Sequence, residues 1–461
     1  MNVILHLGLG SFHRAHQAVY LQKLIEMGDT KWSIAGGNLR ADMSETIEAL
    51  QRQGGEYTVE TISPAGERRY HHITSIRKVV PYQPALTELI AIGARAQTRI
   101  ISFTVTEAGY YLDAMDRLDL SFADLNADLA SARQGGAGHT IYGALTAVLQ
   151  ARMRAGAGKI TLLCCDNLRH NGDRSRRGLL QFIELIDDLE LRDWVESNTT
   201  SPNAMVDRIT PRPSAEVRDR VRAATGRDDA AAVMGESFIQ WVIEDNFCNG
   251  RPDWEQVGVQ MVALVAPFEE AKIRILNASH SCIAWAGTLA GYQYIHQGTQ
   301  HAAIRRMAYN YVTEDVIPCL SPSPIDLAVY RDIVLERFGN AAIRDTNQRV
   351  AMDGFAKIPG FIAPTIRERL SNDKSIAGVC MLPALFVEFL QRWHRGELPY
   401  TYQDQGMNED SAHAICRAAD PLDAFCRDPV LWGPLAGDAR LIAGLRAAEV
   451  RVHEFLSGLN A

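Results

Sequence analysis

Long apolar runs are missing from this chain, and so are the cysteine spacings that staple small domains. No stretch approaches the roughly 18 to 20 consecutive apolar residues of a membrane span, so a membrane is not an expected partner. The eight cysteines, Cys164, Cys165, Cys248, Cys282, Cys319, Cys380, Cys416 and Cys426, form no CxxC, and the only close pair is adjacent in sequence. That is poor material for a disulfide framework or a zinc ribbon. HExxH is absent, and the neighbours His71 and His72 point to opposite faces if they lie in a strand, which makes them a poor chelate. No metal is expected. Runs of Lys or Arg are missing too, and the formal net charge of -8 disfavours nucleic acid and, more mildly, polyanionic substrates. The N-terminal MNVILHLGLG lacks a basic leader and breaks at glycines, so it reads as a buried strand rather than a signal peptide. A reducing cytoplasm is the expected compartment.

What is present is ordinary globular material. Hydrophobic residues are 47% and charged residues 22% of 461 positions, enough for two or three domains with sizeable cores. The first 165 residues alternate apolar runs of strand length with helical patterning. Residues 2–6 stop at Gly8-Leu9-Gly10, 32–35 at Gly36-Gly37-Asn38, 99–105 at Thr106-Glu107, and 159–165 at Asp166-Asn167. This predicts a doubly wound α/β sheet with ligands gathered at the carboxyl ends of its strands. From about residue 270 the segments 270–294, 302–317, 325–339, 381–395 and 438–457 carry helical patterning, which predicts a mostly helical second domain. The join falls near 255–270 without a Gly/Ser-rich linker, so close packing with an active site between the domains is expected.

A strand, then Gly8-x-Gly10, then a helix is how a dinucleotide fold begins. The first glycine permits the tight turn, the second admits backbone to the pyrophosphate, and the helix start supplies free N–H groups. His13 stands where the third glycine of GxGxxG belongs, so the turn is also compatible with a plain strand-turn-helix. Phe12, His13 and Arg14 crowd the helix start; a cation is unfavourable there unless a phosphate lies beside it, which is the role predicted for Arg14. His13 and His16 read as polar positions near the turn. Beyond the second strand stand Arg40 and Asp42: Asp42 favours NAD, whereas Arg40 suits the 2′-phosphate of NADP. NAD is the expected cofactor, with NADP the alternative.

The most informative stretch runs from Glu269 to Ser281. In an α-helix Lys272, Asn277 and His280 sit at i, i+5 and i+8, within an arc of about 140°, so one face presents an amine, an amide and an imidazole among Ile273, Ile275, Leu276 and Ala278. A lysine in apolar surroundings can be desolvated and its pKa lowered towards neutrality. Alcohol oxidation needs such a base and neutral donors for the developing alkoxide. The plainer alternative is an amphipathic helix with the lysine at its wet edge and a core histidine. Polar loops at 165–172 and 206–211 are equally compatible with turns or sites. A Ser/Thr-Tyr-Lys arrangement is not evident.

Six motifs, HLGLGSFHRAHQA (6–18), FTVTEAGYY (103–111), CDNLRHNG (165–172), PNAMVDRITPRP (202–213), KIRILNASHS (272–281) and DTNQRVAMDGFAKIP (345–359), stand in order along essentially the whole chain. Together they resemble the polyol-specific long-chain dehydrogenase (mannitol dehydrogenase) family. The resemblance implies a Rossmann-type domain over 1–263, a mostly helical domain over 264–461, and metal-free, NAD-dependent oxidation of a sugar-alcohol carbinol by a monomer. D-Arabinitol to D-xylulose is the expected conversion, with mannitol or a uronate as alternatives and a catalytically inactive nucleotide-binding regulator as the rival from another class. It further implies Lys272 as general base, Asn167 and Asn277 as alkoxide donors, His280 as the site histidine, and Glu269 as proton relay. Asp207, Arg349 and Lys357 are implied substrate contacts. The cofactor is expected on Gly8, Gly10, Ser11, Phe12, His13 and Arg14, on Asp42, and on Thr106 and Glu107.

Overall fold

The computed structural model describes residues 1–113 and 115–459, without the side chains of Asp42 and Glu107. Those two expected cofactor contacts therefore lie outside the described residues. The chain divides into two compact units, Met1–Ser63 with Glu67–Ala266 and Pro64–Gly66 with Pro267–Ala461.

The first unit is a Rossmann-type α/β domain. Its main sheet holds six parallel strands, β1 (Asn2–Leu7), β2 (Trp32–Gly37), β3 (Ile76–Val80), β4 (Thr98–Phe103), β5 (Ile160–Cys164) and β6 (Thr199–Thr200), in the order β3-β2-β1-β4-β5-β6. Both faces are apolar because helices cover both sides of such a sheet. Leu5, Ile101 and Leu162 face one core, and the alternate residues Ile4, Ile100 and Leu163 face the other. The chain leaves β1 outward to β2 and later returns to β4 on the other side. The strand order thus reverses between β1 and β4, the place where open α/β sheets leave a crevice for ligands. Two three-stranded sheets complete the unit. One joins Val233–Glu236, Tyr57–Ile62 and Arg68–Ile73, and the other joins Gln260–Val262, Gln240–Glu244 and Ala204–Asp207.

The second unit is mostly helical. Helices Ala302–Tyr311, Leu327–Phe338, Met381–His394 and Ala439–Leu459 fall on segments whose patterning predicted them. Helix Ala278–Leu289 is buried on all sides, with Cys282, Ile283, Trp285 and Ala286 in one core, as expected of a helix apolar around its circumference. Among the described residues no helix is long and apolar enough to cross a membrane.

Candidate active site

The turn after β1 is shaped by backbone and held from below by buried side chains. Gly8 has φ +105°, and a Cβ there would run into the Thr104 carbonyl oxygen, so only glycine fits. The Gly8 N–H donates to the Gly37 carbonyl at 2.9 Å, and the Leu9 N–H donates to Asn38 Oδ1 at 2.8 Å. Gly10 differs: its φ is -74°, and the nearest atom to a Cβ would lie 4.0 Å away. The space over Gly10 is open, which fits close approach of a dinucleotide pyrophosphate. Helix Ser11–Ala15 follows, breaks at His16, and resumes as Gln17–Glu26, so the helix expected after the glycine turn is two.

Two expected contacts at this turn are corrected by burial. Arg14 is 1% exposed; its guanidinium donates to the Ala231 carbonyl and lies 5.7 Å from the Tyr57 ring, while the Tyr57 hydroxyl donates to the Arg14 carbonyl. Its charge is spent inside the fold, not beside a phosphate. His13 is equally buried and stacks on His6 with ring centroids 3.4 Å apart, so its ring supports the turn from within. Burial drives the His13 pKa well below its usual value and takes that of His6 down to about 3. His6 Nε2 lies 3.0 Å from the Gly8 carbonyl, which can only accept, so Nε2 carries the proton; Nδ1 lies 2.8 Å from Ser102 Oγ. Ser11 and Phe12 are partly exposed at the helix start.

A buried carboxylate organises the loop after β4. Asp166 accepts from the N–H groups of Val105 at 2.8 Å and Thr106 at 3.0 Å, and from the Tyr110 hydroxyl at 2.5 Å. Thr106 is thereby held exposed with φ +69°. Asn167, the next residue after Asp166, is exposed at the carboxyl end of β5. Asn171 donates to the carbonyls of Cys164, Asp166 and Ala204, and accepts from the Ala204 N–H. It ties the end of β5 to strand Ala204–Asp207, on which Asp207 is the last residue and is buried. The polar insert predicted at 206–211 is therefore partly strand, because Val206 is a core residue. Arg40 donates to the Tyr111 hydroxyl at 2.8 Å and to Asp124 at 2.9 Å.

In the second unit the largest departure from the α-helical prediction is the turn that carries the lysine. Residues Lys272–Asn277 form a π-helix between α-helices Ala266–Ala271 and Ala278–Leu289. Hydrogen bonds there run from i to i+5, as from the Ala278 N–H to the Ile273 carbonyl. Five residues then make roughly one turn, so Lys272 and Asn277 come nearer to one line than an α-helix allows. Tyr311 donates its hydroxyl to the Arg274 carbonyl at 2.8 Å, while the Arg274 side chain is gripped by Glu270 and Glu368. Lys272 is 6% exposed and Glu269, one α-helical turn earlier, is buried too. The wet-edge alternative for the lysine is thereby removed. Asn277 is half-buried.

His280 stacks on Phe338 at 4.2 Å and its Nε2 faces Asp345 Oδ2 at 3.4 Å. Burial lowers its pKa against the opposing pull of Asp345, so the imidazole is neutral at neutral pH. Arg349 is exposed and binds Asp345 through Nε at 2.7 Å and through Nη2. Lys357 donates to the Val350 carbonyl at 2.6 Å, and burial lowers its pKa to about 8. Lys272, Asn277, His280, Arg349 and Lys357 thus belong to one unit, and Asn167 and Asp207 to the other. His6, Asn38, Asp166, Asn171 and Asp345 carry no predicted role. Asn38, Asp166 and Asn171 did lie in the polar stretches that follow strand-length runs, and Asp345 stands i, i+4 from Arg349.

Family models for the mannitol dehydrogenase Rossmann domain and the mannitol dehydrogenase C-terminal domain match residues 2–256 and 264–448. The chain is 57% identical to D-arabinitol 4-dehydrogenase of Ralstonia nicotianae over 98% of its length and 96% of that protein's. It is 53% identical to D-arabinitol 4-dehydrogenase of Klebsiella pneumoniae, over 98% of each. Among solved structures, mannitol 2-dehydrogenase of Pseudomonas fluorescens, in a ternary complex with NAD and D-mannitol, matches with TM-score 0.84 and 33% identity, covering 99% of this chain and 94% of that one. With both units matched in sequence order and the fold matched nearly end to end, the chain belongs to the mannitol dehydrogenase family of oxidoreductases.

Proposed function

We propose that the protein oxidises D-arabinitol to D-xylulose with NAD, using Lys272 as the general base. The observation that carries this reading is the widened turn Lys272–Asn277, which buries an amine and sets an amide about one turn further on. Relatives at 57% and 53% identity that bear the name D-arabinitol 4-dehydrogenase support the choice of polyol.

NAD, when bound, supplies the hydride acceptor at nicotinamide C4. The chain's own groups do the rest. Lys272 takes the hydroxyl proton while the carbinol carbon loses hydride, a step that requires the amine in its uncharged form. Asn167 and Asn277 donate N–H groups to the oxygen as its charge grows, and His280, neutral, adds a donor. Glu269, one turn before the lysine on a buried face, passes its proton outward. Asp207, Arg349 and Lys357 bind the remaining hydroxyls of the chain. The open space over Gly10 receives the pyrophosphate. Engagement of Arg40 by Tyr111 and Asp124 supports NAD over NADP, because that guanidinium is already partnered.

The test is reduction of NAD and of NADP, followed by nicotinamide absorbance, with D-arabinitol, D-mannitol, xylitol and D-sorbitol in turn. The highest kcat/KM is expected for D-arabinitol with NAD. Faster turnover of D-mannitol would move the substrate assignment, and no turnover of any polyol would sink the function.

A further inference from the structure

Resting on the reading above, we propose that Asp345 is a positioning residue for polyol recognition: one buried carboxylate sets both the Arg349 guanidinium and the His280 imidazole. Its side chain is 9% exposed, yet both oxygens are turned to these two residues. Oδ1 accepts from Arg349 Nε at 2.7 Å, and Oδ2 accepts from Arg349 Nη2 while facing His280 Nε2 at 3.4 Å. Burial alone would raise the carboxyl pKa; the contacts with His280 and Arg349 outweigh it and hold the group ionised, well below the usual carboxylate range.

The position of that carboxylate is set by tertiary structure. The Asp345 carbonyl accepts from the Ile295 N–H at 2.9 Å, Thr346 bridges to Tyr294, and the Asn347 N–H donates to the Gln293 carbonyl at 2.9 Å. The segment thus lies strand-like against 293–295. Helix capping is done by another residue, since Thr346 accepts from the Arg349 N–H. A surface i, i+4 ion pair contributes little to stability, and Arg349, at 64% side-chain exposure, would be well solvated alone. A nearly buried carboxylate, by contrast, carries a desolvation cost. What the geometry gains for that cost is order: a two-pronged Arg–carboxylate fork fixes a long, mobile side chain in one orientation. The same oxygen lies 3.4 Å from the Nε2 of an imidazole already stacked on Phe338, near enough to bias its orientation by charge.

The experiment is a double-mutant cycle in the full-length enzyme, using Asp345→Ala and Asp345→Asn, each with and without Arg349→Ala. It is read as kcat and KM for D-arabinitol, NADH affinity by titration, and the thermal transition. Asp345→Ala should lower kcat/KM on the order of tenfold to a hundredfold, the range expected for a lost charged hydrogen bond. Most of the loss should lie in KM, with NADH affinity changed less than about twofold. Asp345→Asn should recover part of it, because an amide oxygen still accepts from the guanidinium. Adding Asp345→Ala to Arg349→Ala should cost far less than adding it to the native enzyme. Independent, multiplicative losses would overturn the proposal, as would an equal loss of NADH affinity. Failure of both Asp345 variants to fold would overturn it too, since the residue would then be structural. Absence of polyol turnover in the native enzyme would instead strike the parent assignment of substrate.

Discussion

In the proposed site, the turn after β1 and the turn around Lys272 would meet their ligands by opposite routes. At the first, the surface is backbone at the start of helix Ser11–Ala15, because the N–H groups of Gly8, Leu9 and Gly10 are bonded within the fold, while His6, His13 and Arg14 are buried beneath as supports. At the second, the surface is side chains, and the backbone helps by widening one helical turn so that Lys272 and Asn277 align. A ligand of fixed shape, such as a pyrophosphate, is met well by rigid N–H groups. A proton transfer needs an ionisable group, which backbone cannot supply. The two turns therefore respond differently to substitution.

The largest effect is expected at the side-chain turn. Lys272→Ala should lower kcat by about a hundredfold to ten-thousandfold, the range for loss of a general base, with NADH titration unchanged. Near-normal turnover would remove the lysine from its role and break the contrast. Next comes the backbone turn. Gly8→Ala forces an L side chain into positive φ and against the Thr104 carbonyl, so unfolding free energy should fall by about 2 to 4 kcal/mol. Gly10→Ala has room for its methyl group and should change stability by less than about 1 kcal/mol while weakening NAD affinity. Equal stability losses in the two alanine variants, measured by urea unfolding, would show that the glycines are not divided in this way.

A smaller effect sharpens the account of the supports. His6 titrates near 6.5 when unfolded and at about 3 when folded. Between those values the unfolded chain binds a proton that the native state refuses. Stability from this residue is thus fully present above about pH 6.5 and falls as pH drops towards about 3, reaching about 2 kcal/mol lost near pH 5. Replacing it, as His6→Gln, should flatten the acid limb of stability against pH relative to the native protein. An unchanged slope would mean that His6 charges without cost where it sits.

Much of this architecture was legible in the amino-acid order. The β-branched runs ending in polar residues mark the parallel strands, since a strand buried on both faces has no polar side to show. The helices of the second unit follow from 3.6-residue patterning. Gly8 and Gly10 mark the turn, and Lys272, Asn277 and His280 stand out as polar residues in apolar company. Arg14 was misleading because a charge at a helix start resembles a phosphate ligand, while its burial against Ala231 and Tyr57 depends on segments far away in sequence.

By itself the sequence determined four strands of the main sheet, the long helices of the second unit, the glycine turn and the identity of the groups able to do chemistry, because these rest on local periodicity and residue type. Tertiary structure alone decided which of those groups are buried, which hydrogen bond holds each one, and that the lysine turn is π rather than α. The reason is physical: burial, and hydrogen bonds such as that from the Tyr311 hydroxyl to the Arg274 carbonyl, come from partners many residues distant. No local pattern encodes those partners.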